Sequence, residues 1–159
     1  MHSLATRTLH SGSPDQTCAV ARRLGAHLRA GDVLLLHGDI GAGKTHFARC
    51  LIQSLLPSPE DVPSPTYTLV QIYPGPACEI WHADLYRLPG PNEVFELGLT
   101  DAFDTAICLI EWPDRLGDLA PSTALTVSLT PGAVSDARVL TLSWKSADWD
   151  ARLKEALDG

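Results

Sequence analysis

The chain has 159 residues, with 12 Lys and Arg against 19 Asp and Glu (formal net charge −7), 45% hydrophobic and 19% charged residues. That size suits one domain, 1–159, able to bury a core without staples, while the charge disfavours gripping RNA or DNA alone, which needs a basic stripe. No run approaches the roughly 18 apolar residues of a membrane span, and the stretch MHSLATRTLHSGSPDQ lacks the apolar segment of a secretory signal.

Residues 4–10 alternate weakly and read as a short edge strand. Ser13, Pro14 and Gln16 mark a helix start: an N-cap, a first-turn proline and a capping-box partner. Ala21, Leu24 and Leu28 keep helical spacing, and Gly31 is the expected stop. The run DVLLLH (32–37) is continuously apolar, as in a central strand covered on both faces. Phe47, Leu51 and Leu55 then recur every fourth residue, predicting an amphipathic helix that ends before Pro57.

PSPEDVPSP (57–65) holds four prolines in nine residues and reads as a loop. TLVQIY (68–73) and EIWHADLY (79–86), separated by PGPAC, predict a hairpin, and PNEVFELG (91–98) a short helix. AICLI (106–110) is a second buried strand, ALTVSL (124–129) and RVLTLSW (138–144) an antiparallel pair, and residues 147–157 a closing helix. The sum is an α/β fold: a P-loop NTPase-like three-layer sandwich whose mixed sheet is parallel at its centre and antiparallel at its margins. Cys18, Cys50, Cys78 and Cys108 show no paired or zinc-type spacing, so four thiols buried in a reducing cytosol are expected.

Between the first apolar strand and the helix after it, GDIGAGKT (38–45) matches G-x-x-x-x-G-K-[ST] without a gap. Such a loop turns successive backbone N–H groups inward around an anion, and side chains obstruct that geometry, so glycines are used. Asp39, Ile40, Gly41, Ala42, Gly43, Lys44, Thr45 and His46 are accordingly the expected nucleotide-binding residues. The helix N-terminus supports the same phosphates. Lys44 also supplies charge for the β and γ oxygens, and Thr45 a hydroxyl for Mg2+. No guanine-reading N-K-x-D motif occurs, which favours ATP over GTP. Thr17, near the N-terminal helix start, is a candidate flank for the adenine.

A metal on such a loop also needs a carboxylate from the end of a neighbouring strand. Glu111 ends the run AICLI and fits that position, so Thr45 and Glu111 are the expected metal ligands. Asp84, late in the strand of WHADLYR, is the expected residue to bind the metal through water or to orient an attacking water, or alternatively a structural partner for Arg87. Thr66, after the proline-rich loop, has the placement of a switch threonine that senses the γ-phosphate. His82 shares the strand face of Asp84 and reads as a hydrogen-bonded core histidine. Trp112 reads equally as core, as site lining or as a residue facing a partner, and Arg138 is a candidate to reach the nucleotide from the C-terminal half.

Four stretches, GDIGAGKTHFAR, SPTYTLVQIY, HADLYRL and ICLIEWPDRL, resemble in order and spacing the bacterial TsaE family (formerly YjeE), small P-loop ATPases of tRNA threonylcarbamoyladenosine (t6A) synthesis. ELGLTDAF (96–103) resembles the segment that joins the third and fourth stretches. The resemblance implies ATP and Mg2+ as cofactors, Thr45 and Glu111 on the metal, and Asp39 to Lys44 around the phosphates. It further implies Thr66 in a switch-like loop and Asp84 assisting hydrolysis. The implied partners are TsaD and TsaB homologues in the cytoplasm, with tRNA met only within that complex. The implied role is ATP hydrolysis that resets the complex, not transfer of the threonylcarbamoyl group. Ala83 stands where the family usually has phenylalanine.

Two other readings compete. A small-molecule kinase would use Asp84 as the base for an acceptor hydroxyl and Arg87 as a phosphate clamp. A nucleotide sensor would bind without hydrolysing.

Overall fold

The computed structural model describes residues 3–58, 60–65 and 68–158. Seven strands occur among them: β1 (Ala5–Ser11), β2 (Val33–His37), β3 (Val70–Pro74), β4 (Glu79–Asp84), β5 (Ile107–Glu111), β6 (Leu125–Pro131) and β7 (Arg138–Trp144). They form one sheet in the order β1–β7–β6–β2–β5–β4–β3. β6, β2, β5 and β4 run parallel, whereas β1, β7 and β3 join antiparallel. The expected mixed sheet, parallel at its centre, is therefore present.

The helices are α1 (Pro14–Gly25), α2 (Lys44–Leu55), α3 (Pro91–Phe95), α4 (Leu99–Thr105) and α5 (Asp148–Asp158), with 3-10 turns over Pro113–Leu119. The two-residue period of the strands divides the core. Leu34 and Leu36 of β2 face one layer with Leu24 of α1, Phe47 and Leu51 of α2, and Trp149 and Leu153 of α5. Val33 and Leu35 face the other with Val94 of α3, Leu99 and Phe103 of α4, and Leu116. Each such fully buried side chain contributes roughly 2 kcal/mol of apolar burial. At the antiparallel margin, β6 and β7 bury Leu125, Val127, Leu129, Leu140 and Leu142 on the first side only. Thr126, Ser128, Thr141 and Ser143 alternate with them on the other and are half-buried.

α1 starts as expected. The Ser13 hydroxyl accepts the Gln16 N–H at 3.2 Å, a cap of about 1 kcal/mol. The Gln16 side chain accepts in return from Gly12 N–H, one residue earlier than a standard capping box. α1 stops at Gly25, not at Gly31. Gly25 packs so closely on α2 that a Cβ there would lie 3.2 Å from Leu51 Cγ. The segment after it is instead tied by Asp32, which accepts the Arg29 N–H at 2.7 Å and a fork from Arg152 at 2.7 and 2.8 Å. α4 has no counterpart among the expected elements. It is short, entered through Gly98 at φ 82°, and exists because Leu99, Ala102 and Phe103 pack on the sheet.

The cysteine reading needs correction. α1 and α2 lie side by side and join Cys18 to Cys50 in a disulfide, Cα to Cα 5.3 Å. Spacing in sequence could not show this, because the helices that pair are separated by a strand and the glycine loop. Cys78 and Cys108 remain thiols, and burial, followed by the neighbouring Cys78, pushes Cys108 up to about 12. Among the described residues no helix is long and apolar enough to cross a membrane.

Candidate functional site

The C-terminal ends of β2, β5 and β4 meet at one edge of the sheet, where open α/β folds collect ligands. The loop 38–43 leaves β2 there and enters α2 at Lys44. Gly43 adopts φ 104°, a left-handed conformation that side chains resist. Gly38 is required by space: a Cβ would lie 2.8 Å from the Leu129 carbonyl and 2.9 Å from Ala42 Cβ. The loop rims a cavity of about 400 Å³ that includes Asp39 to His46, Ser64, Asp84, Tyr86, Glu111 and Trp112.

Lys44 is buried at the cavity's inner end. Its ammonium donates to the carbonyls of Gly38 and, at 3.3 Å, Asp39, and lies 3.7 Å from the centroid of the Trp112 ring. Burial lowers its pKa against the pull of Glu111, Asp84, Asp39 and Asp114. Trp112 follows β5 with φ 58°, a rare conformation for a bulky residue. That turn lays the indole over Lys44 and 4.8 Å from Tyr86, centroid to centroid. Trp112 therefore lines the site, and it also packs against the α3–α4 core layer.

Thr45 and Glu111 are brought together. The Thr45 hydroxyl lies 2.8 and 3.0 Å from the two Glu111 carboxylate oxygens. Glu111 is 2% exposed, and its Oε2 also accepts from His82 Nε2 at 2.6 Å. A hydroxyl and a carboxylate side by side form the hard-oxygen pair that Mg2+ accepts. Among the described residues no group of three or more His, Cys, Asp and Glu is placed to hold a metal. A cation here would depend on further oxygens from a bound ligand or water, as Mg2+ on phosphates does.

Asp84 ends β4 in register with Glu111 at the end of β5, so the two carboxylates stand side by side at the cavity. Asp84 Oδ1 accepts the Tyr86 N–H at 3.0 Å. His46 lines the cavity and its Nε2 is 3.0 Å from the Pro14 carbonyl. Thr17 does not line it: its buried hydroxyl is 2.6 Å from Ser11 Oγ and 3.3 Å from the Ser13 carbonyl. Thr66 lies outside the described residues, although Ser64 of the same loop reaches the cavity.

Three residues carry more of this site than their sequence context conveys. Arg138 of β7 donates to the carbonyls of Ala42 at 2.9 Å and Gly41 at 3.3 Å, so it grips the outside of the loop. His82 holds Glu111, for which the hints in the sequence are its place two residues before Asp84 on one strand face and in the stretch HADLYRL. Tyr86, in the same stretch, packs on Trp112 with the rings tilted by 49°, a contact the linear pattern does not show.

Comparison with known proteins adds identity to this geometry. Residues 11–139 match the family model described as threonylcarbamoyl adenosine biosynthesis protein TsaE. A Rickettsia bellii protein named tRNA threonylcarbamoyladenosine biosynthesis protein TsaE is 37% identical over 129 residues, 81% of this chain and 89% of its own. A Bacillus subtilis protein of the same name is 33% identical over 144 residues, 90% of this chain and 87% of its own. The crystal structure of YdiB from Bacillus subtilis superposes with a TM-score of 0.77 at 26% identity, covering 98% of this chain and 97% of that one.

Proposed function

This chain belongs to the TsaE family, and from that premise we propose that it binds and hydrolyses ATP with Mg2+ in the service of t6A modification of tRNA. The observation that carries the reading is the convergence of Thr45, Glu111 and Asp84 beside the glycine loop. The backbone of the glycine loop at the N-terminus of α2 and the Lys44 ammonium hold the phosphates. Thr45 and Glu111 would hold the Mg2+, which would supply charge neutralisation for the transferring phosphoryl group. Asp84 orients a water and draws its proton.

Hydrolysis by the isolated chain is slow on this reading, and one feature of the cavity supports that. Among the described residues no arginine lines it, whereas fast phosphoryl transfer relies on an arginine beside the γ-phosphate. Arg138 is nearby but engaged with the loop carbonyls. The partner is a complex of TsaB and TsaD homologues in the cytoplasm. The net charge of −7 fits a chain whose dealings with tRNA run through those subunits. The kinase reading gains no support, because Arg87, its clamp, is not among the residues lining the cavity.

ATP turnover measured with and without the TsaB–TsaD pair and tRNA tests the reading. Turnover is expected to rise at least tenfold on adding the pair and to vanish in Lys44→Ala. Nucleotide affinity unchanged in Lys44→Ala would reject the assignment of the loop.

A further inference from the structure

We propose that His82 is the positioning residue of the cation site: it fixes the Glu111 carboxylate from behind and so sets the affinity for the divalent ion. The proposal rests on reading Thr45 and Glu111 as the metal ligands and deepens that reading.

His82 lies inside β4 with no exposed surface. Its Nε2 is 2.6 Å from Glu111 Oε2, while the Thr45 hydroxyl lies 2.8 Å from Oε1. The carboxylate is thus held by two elements, by β4 at Oε2 and by α2 through the Thr45 hydroxyl, which lies 3.0 Å from Oε2 as well. The other ring nitrogen of His82, Nδ1, is buried without a hydrogen-bond partner among the described residues. Packing alone does not account for this. A leucine would fill the space without leaving a buried polar atom unmatched, which is costly. The imidazole is retained for the one bond it makes, and that bond goes to Glu111.

The arrangement matters once a cation is shared. A Thr45 hydroxyl can turn a lone pair to a metal and still donate its proton to Glu111. His82 adds a second bond from β4, so the carboxylate is fixed by two donors and cannot rotate away from the cation. Asp84, on the same face of β4 two residues on, ends the strand with its carboxylate at the cavity. One strand therefore supplies both the group that holds the ligand and the carboxylate beside it. Outer partners of this kind typically change metal affinity 10–100-fold.

The test is Mn2+ binding to the ADP-saturated chain, read by the electron paramagnetic resonance of bound Mn2+, beside ADP affinity in EDTA and thermal melting in EDTA. His82→Leu should raise the Mn2+ dissociation constant 10–100-fold and leave ADP affinity in EDTA within twofold. His82→Gln, whose amide N–H reaches the Nε2 position, should restore it to within about threefold. If His82→Leu fails to fold, His82→Asn, whose amide stops short of Glu111, takes its place with the same expectation. Glu111→Gln separates the two claims. Loss of Mn2+ in Glu111→Gln with none in the His82 variants overturns the role of His82 alone. Unchanged Mn2+ binding in Glu111→Gln overturns the metal site itself.

Discussion

Arg138 reaches from β7 to the glycine loop and donates to the Ala42 carbonyl at 2.9 Å. Loop carbonyls left without a partner need donors of their own. Arg138 serves Ala42 and Gly41 together, so it ties the glycine loop to β7. Arg138→Met, which keeps the stem and removes the donors, should weaken ATP binding about tenfold, the lower range for hydrogen bonds to a charged group. Calorimetric titration checks it. An affinity within twofold of the parent would show that the loop shapes itself.

Asp84 and Glu111 share a register position on adjacent parallel strands, yet their tasks differ. Glu111 is engaged by Thr45 and His82, whereas Asp84 Oδ1 accepts the Tyr86 N–H as its chain turns off the sheet. Asp84→Asn should keep Mg-ATP affinity within about threefold and lower single-turnover hydrolysis at least about 100-fold, as loss of a general base does. Turnover that persists in this variant would leave Asp84 the role of a backbone cap.

How much of this is legible in the sequence follows from physical range. The glycine loop, its strand and its helix are local, and periodicity with loop chemistry exposes them. Glu111 is legible because packing gives no reason for a charge at the end of a wholly apolar strand. The contacts of His82 and Arg138 are not, because they depend on strand order. Residues 82 and 111 meet only once β4 and β5 are neighbours, and residues 42 and 138 only once β6 and β7 fold back beside the loop. The end of α1 is hidden for a similar reason: Gly25 is dictated by contact with Leu51 of another helix, while Gly31 merely resembles a stop. α4 falls below the length at which helical spacing speaks.

Away from the site, Arg29 holds both oxygens of Asp148 at 2.8 Å, and Arg152 adds a bond at 2.9 Å. Burial alone would raise the Asp148 pKa, but hydrogen bonds and charge from Arg29 and Arg152 outweigh it and hold the carboxyl below its ordinary value. A carboxylate shifted down in the folded state stabilises fully above its unfolded pKa of about 4 and loses that contribution as pH falls through the folded value. Asp148→Asn should therefore cost less than about 1 kcal/mol at pH 7, since Asp148 and Arg29 are exposed, and the difference should close as pH drops below about 4. Denaturation midpoints across that range check it. A penalty that does not change with pH would assign the loss to packing.

The cysteines offer a test that needs no ligand. Cys108 is fully buried with its thiol pushed up to about 12, so it forms almost no thiolate at neutral pH, while Cys78 is half-buried. The folded chain isolated without reductant should take one maleimide label, at Cys78, and in guanidinium two. With reductant and guanidinium it should take four. The Cys18–Cys50 bond closes a loop across a separation of 32 residues, worth about 3.7 kcal/mol in the chain-entropy account. Cys18→Ser should lower the guanidinium midpoint accordingly. Four labels in guanidinium without reductant would mean that the two sulphurs stay thiols, as cysteines do in reducing surroundings. α1 and α2 would then be held by Leu24, Phe47 and Leu51 without the covalent tie, and Cys18→Ser would leave the midpoint nearly unchanged.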